Sequence, residues 1–140
     1  MADNLSNYLE NKLLDHSFGK TSFTMPGTVA AALFTSTATQ AEIEAGTLTN
    51  EVANSGAYAR VTVPGASFAA ASGGSITTSA DITWPTATGS WGTIAFVAFM
   101  DSTTLGAGNV LWYGALTANK TIASGDVFKI LSGQLTATLA

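Results

Sequence analysis

His16 follows Asp15, and this pair is where an imidazole could be coupled to a carboxylate for acid–base work. A nucleophile–His–acid site also needs a serine held on a sharp turn, and the chain has no G-x-S-x-G stretch. His16 fits better as the last residue of a helix, where a cation is favoured by the dipole. One histidine, scattered carboxylates and no cysteine do not make a tetrahedral zinc set. Glu42, Glu44 and Glu51 lie together in a polar stretch, without the dense alternating aspartates of a calcium loop. A glycosidase needs two carboxyls facing one cleft, whereas Asp81 and Asp101 fall at the ends of predicted strands. The glycines sit in turns with no phosphate-loop spacing. Asn4 and Asn119 begin "NLS" and "NKT", which match the glycosylation sequon, but "MADNLSNYLENKLL" is polar and acidic and carries no apolar secretory core. The residue inventory therefore leads to the expectation of a non-enzyme, with no cofactor and no metal.

Composition points the same way. Only 10% of the 140 residues are charged, against an average of about 25%. Ala, Thr, Ser and Gly fill the difference. A surface short of Lys and Glu opposes contact with another protein only weakly, which suits a subunit that stays packed against others. Five Lys and Arg stand against nine Asp and Glu, a net charge of −4. The cations Lys12, Lys20, Arg60, Lys120 and Lys129 are scattered rather than gathered in a stripe, so direct nucleic-acid binding is not expected. The stretch 82–100 is long and uncharged, but Pro85, Gly89, Gly92 and several Ser and Thr make it a poor membrane helix. No membrane partner is expected.

The elements that must position any working residue follow from periodicity. Leu5, Tyr8 or Leu9, and Leu13 recur at helical spacing, predicting a helix over residues 4–17, capped by Asp3 or Asn4 and ended by Gly19. A helix this short must dock on something, its own sheet or a neighbouring subunit. Strands are predicted at 28–35 ("TVAAALFT") and 57–63 ("AYARVTV"), and in "SITTSADITW", where Ile76, Ala80, Ile82 and Trp84 share a face. Further strands are predicted at 91–100, 110–117, 127–130 and 135–139, with a short one beginning at Ile122. Strand 91–100 is apolar on both faces, as a covered central strand should be. The segment from Thr37 to Gly56 reads as a long surface loop with one helical turn. The expectation is one all-β domain over residues 1–140: an N-terminal helical arm at 1–20, then a β-sandwich or jelly roll of seven or eight short strands at 27–140. Trp84, Trp91, Phe96, Phe99, Trp112 and Tyr113 are then core or rim packing. Tyr58 with Arg60, and Trp112 with Tyr113, are the pairs that would serve as contact anchors if exposed.

Five stretches, in order, carry a resemblance: "LSNYLENKLLDHSFGKTSFTMPGTVAAALFT", "EIEAGTLTNEV", "GAYARV", "WPTATGSWGTIAF" and "LWYGALTANKTIASGD". Together they span nearly the whole chain and are similar to a family of small tailed-bacteriophage virion proteins, whose members carry tail-fibre or structural labels. Size and β-rich pattern also resemble capsid cement proteins, which decorate the outside of icosahedral heads. The resemblance implies no catalytic residues. It implies a structural protein of a short-tailed phage, made in the host cytoplasm and bound, as a homodimer, to the major capsid protein on the outer surface of the expanded head. A tail or tail-fibre component is the alternative, and a carbohydrate-binding module a second. The residues expected to make contact are those least committed to a sandwich core: Leu5, Tyr8, Leu9 and Lys12 of the helix, and Glu42, Glu44 and Glu51 of the long loop.

Overall fold

The computed structural model describes residues 3–139. The protein is all-β. Its strands are β1 (Asp3–Leu5), β2 (Ala30–Thr35), β3 (Val61–Thr62), β4 (Ser75–Thr77), β5 (Ile82–Thr83), β6 (Gly92–Met100), β7 (Val110–Ile122), β8 (Lys129–Ile130) and β9 (Thr136–Thr138). Two α-helices, α1 (Asn7–Ser17) and α2 (Gln40–Glu44), and a single 3-10 turn at Gly65–Ser67 complete the described residues. Every strand pair is antiparallel. The main sheet has the order β1-β7-β6-β2-β3, and β4-β9 and β5-β8 form two ribbons. Five strands and two ribbons replace the two four-stranded sheets of a jelly roll.

The apolar runs of β2 and β6 follow from their place in the middle of this sheet. Ala31, Leu33, Val97 and Phe99 belong to one buried cluster with Ile82, Trp84, Phe128, Ile130 and Leu135 of the ribbon side. Ala32, Phe34, Ala98 and Met100 belong to a second, with Ile43 of α2 and Tyr113. Alternate residues of one strand thus enter different cores, so neither set can be polar. Each fully buried large side chain contributes about 1.5–3 kcal/mol. An exposed ion pair such as Lys129 with Asp81, 3.5 Å apart, contributes about 0–1 kcal/mol. The two cores therefore dominate the energetics. The uncharged stretch 82–100 is two pieces of this interior: β5 pairs with β8, β6 with β2 and β7, and the Pro85–Gly89 turn joins them.

The structure departs from expectation in four elements. The predicted helix 4–17 begins later: Asp3–Leu5 is a strand opposite Gly114–Trp112, and the cap is Ser6. Pairing with the edge of β7 satisfies backbone groups that a helix would leave free at its first turn. Of the strand predicted at 57–63, only Val61–Thr62 joins the sheet. The alternating run 75–84 is split into β4 and β5, with Thr78 turned inward so that its N–H donates to the Leu135 carbonyl at 3.0 Å. Finally, β7 runs on to Ile122, so no separate strand starts there. Its register with β6 slips between the pairs Ile94–Lys120 and Phe96–Ala115, which leaves Leu116–Asn119 as a bulge.

Candidate interaction surface

The three acids expected to meet a partner are turned to the chain itself. Glu51 lies on Arg60: Nε donates to Oε1 and NH2 to Oε2, both at 2.7 Å. The side chains are 4% and 0% exposed. The remaining Arg60 donor, NH1, reaches the carbonyls of Ser102 and Ala107, each at 2.8 Å. Tyr58 donates its hydroxyl to Glu51 at 3.1 Å and accepts the Leu33 N–H at 2.9 Å. Burial, and then the Glu51 carboxylate, hold the Tyr58 hydroxyl far above its ordinary range. A buried bidentate pair with its spare donors satisfied pins two loops to β2, and it offers nothing to solvent. The loop 101–109 can close on Arg60 because position 108 is glycine. Its φ is +84°, and a Cβ there would stand 2.6 Å from the Ser102 Cβ.

The Glu51 side chain is thus committed to Arg60 within the chain rather than presented to solvent. Tyr58 and Arg60, which would have served as contact anchors if exposed, are 3% and 6% exposed, and Trp112 and Tyr113 are 3% and 0% exposed. Both pairs are therefore packing residues, and the acid partner Glu51 is what allows Arg60 to be buried.

Glu42 and Glu44 are partly exposed and also occupied. Glu42 closes a capping box on α2: its carboxylate accepts the Thr39 N–H at 2.9 Å, and its own N–H donates to the Thr39 hydroxyl at 3.3 Å. Those hydrogen bonds, the backbone one first, lower the Glu42 carboxyl below its ordinary value. Glu44 accepts the Tyr113 hydroxyl at 3.0 Å, and that oxygen accepts Nδ2 of Asn4 at 3.1 Å. Burial raises the Tyr113 hydroxyl above its ordinary range, and the Glu44 carboxylate adds to the shift.

The helix residues are placed differently. Ser6 is fully buried and anchors the arm. Its N–H donates to the Leu111 carbonyl at 3.1 Å, its hydroxyl donates to the Val110 carbonyl, and the same hydroxyl accepts the Leu9 N–H at 3.2 Å. From that anchor, Leu5, Leu9 and Leu13 fall on one stripe, four residues apart. They face Phe68, Ile76 and Ala137 across an open apolar cleft of about 340 Å³. No residue of α1 is fully buried. Tyr8 and Lys12 lie on another face, the Lys12 ammonium 5.7 Å from the Tyr8 ring. About 100° round from Leu13, Leu14 is 56% exposed and Phe18, one turn on, is 81% exposed. Met25, in the connection to β2, is 83% exposed. The structure therefore brings Leu5 and Leu9 to one cleft and keeps the three glutamates out of it.

Sequence reasoning missed Ser6, Leu13, Leu14 and Phe18. Ser6 directly precedes the helix and is as good a cap as Asp3 or Asn4. The exposed Leu14–Phe18 pair carried no signal, because leucine and phenylalanine read as core.

The remaining polar groups build turns. His16 Nδ1 accepts the Phe23 N–H at 3.1 Å. Asp101 holds the Asn109 N–H and side-chain amide at 2.6 and 2.9 Å, and Asp81 holds the Ser132 N–H at 2.7 Å. Among the described residues, no three His, Cys, Asp or Glu side chains gather where they could hold a metal ion. Nor is any helix long and apolar enough to cross a membrane. All three tryptophans are buried, at 1%, 4% and 3% exposure, so none presents a flat platform to a sugar ring.

A family model described as podophage GP4 fiber I protein gp80 matches residues 4–138. The chain belongs to this family. No curated protein matches it. Membership of the fiber I family makes the chain a structural protein of a short-tailed phage, in line with the resemblance carried by its five stretches. The family's description names a fibre and not a capsid, which favours the tail alternative over decoration of the head.

Proposed function

We propose that the protein is a tail-fibre component of a short-tailed phage particle, a non-catalytic subunit that binds other virion proteins through its N-terminal side. The family match over residues 4–138 carries this reading. The geometry supports a binding role of this kind. The polar groups that could do chemistry are spent inside the chain, while the apolar groups of α1 and its cleft are left open. Exposed apolar patches on a protein with few surface charges mark contact sites. The partners are then neighbouring tail proteins and further copies of this chain, and Leu14 and Phe18 join Leu5, Tyr8, Leu9 and Lys12 as contact residues.

A place on the outside of the head, as a cement across capsomer seams bound to the major capsid protein, rests on the small size, the low charge and the β-rich build. Binding to an expanded shell would stabilise it by mass action. Immunogold labelling of intact virions with an antibody against the full chain separates the two. Gold on the tail is expected. Gold spread over the head would replace the fibre reading with the cement one, and unlabelled virions would remove the chain from the particle surface.

A further inference from the structure

We propose that residues 3–17, strand β1 with helix α1, form an exchangeable arm that in the assembled particle docks on a neighbouring copy of this chain. This goes beyond the fibre reading and does not depend on it, since only the arm, its socket and its tether enter.

The socket is specific. β1 adds to the free edge of β7 with Asp3, Asn4 and Leu5 opposite Gly114, Tyr113 and Trp112. Ser6 plugs into the carbonyls of Val110 and Leu111. Asn4 is linked through the Tyr113 hydroxyl to Glu44. Leu9 and Leu13 lean over the apolar cleft. Each of these contacts can be made just as well by the arm of a second copy.

The tether, by contrast, is loose. Phe18 to Val29 contains no helix or strand. Its first hydrogen bonds all return to the arm: Phe18 N–H to Leu14, Gly19 to His16, Lys20 and Thr21 to Asp15, and Phe23 to the His16 ring. Among the described residues, 24–28 make no hydrogen bond to the body. Fully extended, residues 18–29 span about 40 Å, enough to cross to a neighbour. Helix and proximal tether therefore move as one piece, hinged at Thr24–Thr28.

The exposed apolar residues are where an exchanged pair would need them. Leu14 on the arm, Phe18 at the start of the tether and Met25 in the hinge are 56%, 81% and 83% exposed. In an exchanged pair the two hinges run side by side, and these residues gain a partner that the closed chain does not supply. Exchange of an identical element is a low-cost route to association, and shortening the hinge favours it.

The test deletes Ser22–Gly27 from the full chain, which leaves a connection of about 20 Å at most. It then follows mass by light scattering across a concentration series. The shortened chain is expected to dimerise at a concentration at least tenfold lower than the parent, and Ser6→Ala with Leu9→Asp in the shortened chain is expected to return it to monomer. A folded, shortened chain that stays monomeric would overturn the proposal, and so would a dimer indifferent to Ser6 and Leu9. A second measurement keeps the native hinge. The chain has no cysteine, so an Asn4→Cys chain mixed with a Tyr113→Cys chain and oxidised at high concentration reports docking in trans. A covalent heterodimer is expected. Asn4→Cys homodimers alone would count against exchange, because position 113 lies buried beneath β1.

Discussion

The Arg60 cluster and the N-terminal arm both hang on the main sheet by hydrogen bonds between polar side chains and backbone, but they end differently. Around Arg60 each guanidinium nitrogen meets an acceptor of the same chain, and the side chain is wholly covered. Along the arm the polar groups are also satisfied, through Ser6 and Asn4, yet Leu14 and Phe18 face solvent on one side and Leu5, Leu9 and Leu13 border an open cleft on another. Buried charge ties loops to the sheet in this protein, and apolar surface is left open along the arm. For the binding subunit proposed above, that is the useful division. A buried ion pair fixes loops at the cost of desolvation, whereas apolar contact is non-directional and scales with area.

That contrast can be broken at either side. The largest effect is expected from Glu51→Ala. It strands the Arg60 guanidinium in the interior and should cost about 3–5 kcal/mol of folding stability in urea or guanidinium unfolding. Replacing both partners, Glu51→Leu with Arg60→Met, should cost much less, since no lone charge remains. Equal losses for the single and double variants would mean that the pair is not sealed. Next comes Ser6→Ala, which removes the cap of α1 and the bond to Val110, at about 1–2 kcal/mol. Hydrogen exchange should quicken over Asn7–Ser17 and stay unchanged in β6; uniform quickening would show that the arm is part of the global unit. Tyr113→Phe is expected to cost about 0.5–1.5 kcal/mol, because Asn4 and Glu44 can turn to water once the hydroxyl is gone.

The smallest effect concerns Glu42. Its carboxyl is lowered from the ordinary 4.5 by the Thr39 backbone N–H and then by the Thr39 hydroxyl. A depressed carboxylate contributes stability that is present above its unfolded value and is lost as pH falls through the lowered folded value. An NMR titration should therefore find Glu42 below its ordinary value, and Thr39→Ala, which removes the hydroxyl but keeps the backbone N–H, should bring it only part of the way back up. A Glu42 that titrates at its ordinary value in the parent chain would mean the capping box is open in solution.

The strands were legible in the sequence where both faces are buried. The run 28–35 and the run 91–100 are apolar on both faces apart from Thr28, Thr35 and Thr93, and they became β2 and β6. Helix α1 was legible from its leucine stripe, but not its first residues, because edge pairing with a strand more than a hundred positions away decides them. The short α2 is the one helical turn expected within the long loop, and Thr39 with Glu42 three residues on fixes where it starts. Periodicity alone left the exposure of Arg60 open; only the fold shows that Glu51 waits beside it. The cleft was hidden for a related reason. Its far wall is the β4–β9 ribbon, and the pairing of Ser75 with Thr138 joins residues far apart in the chain. Exposed Leu14 and Phe18 could not be told from core residues by type alone.

The most direct test is co-sedimentation of the full chain with purified tails, with heads as a parallel sample, comparing the parent with Leu14→Asp, Phe18→Asp. Both residues are exposed, so the substitutions should leave the melting curve within about 0.5 kcal/mol of the parent. Saturable binding of the parent to tails, lost in the variant, is expected. Equal binding by both chains, or parent binding confined to heads, would contradict the N-terminal side as the working surface of a fibre protein.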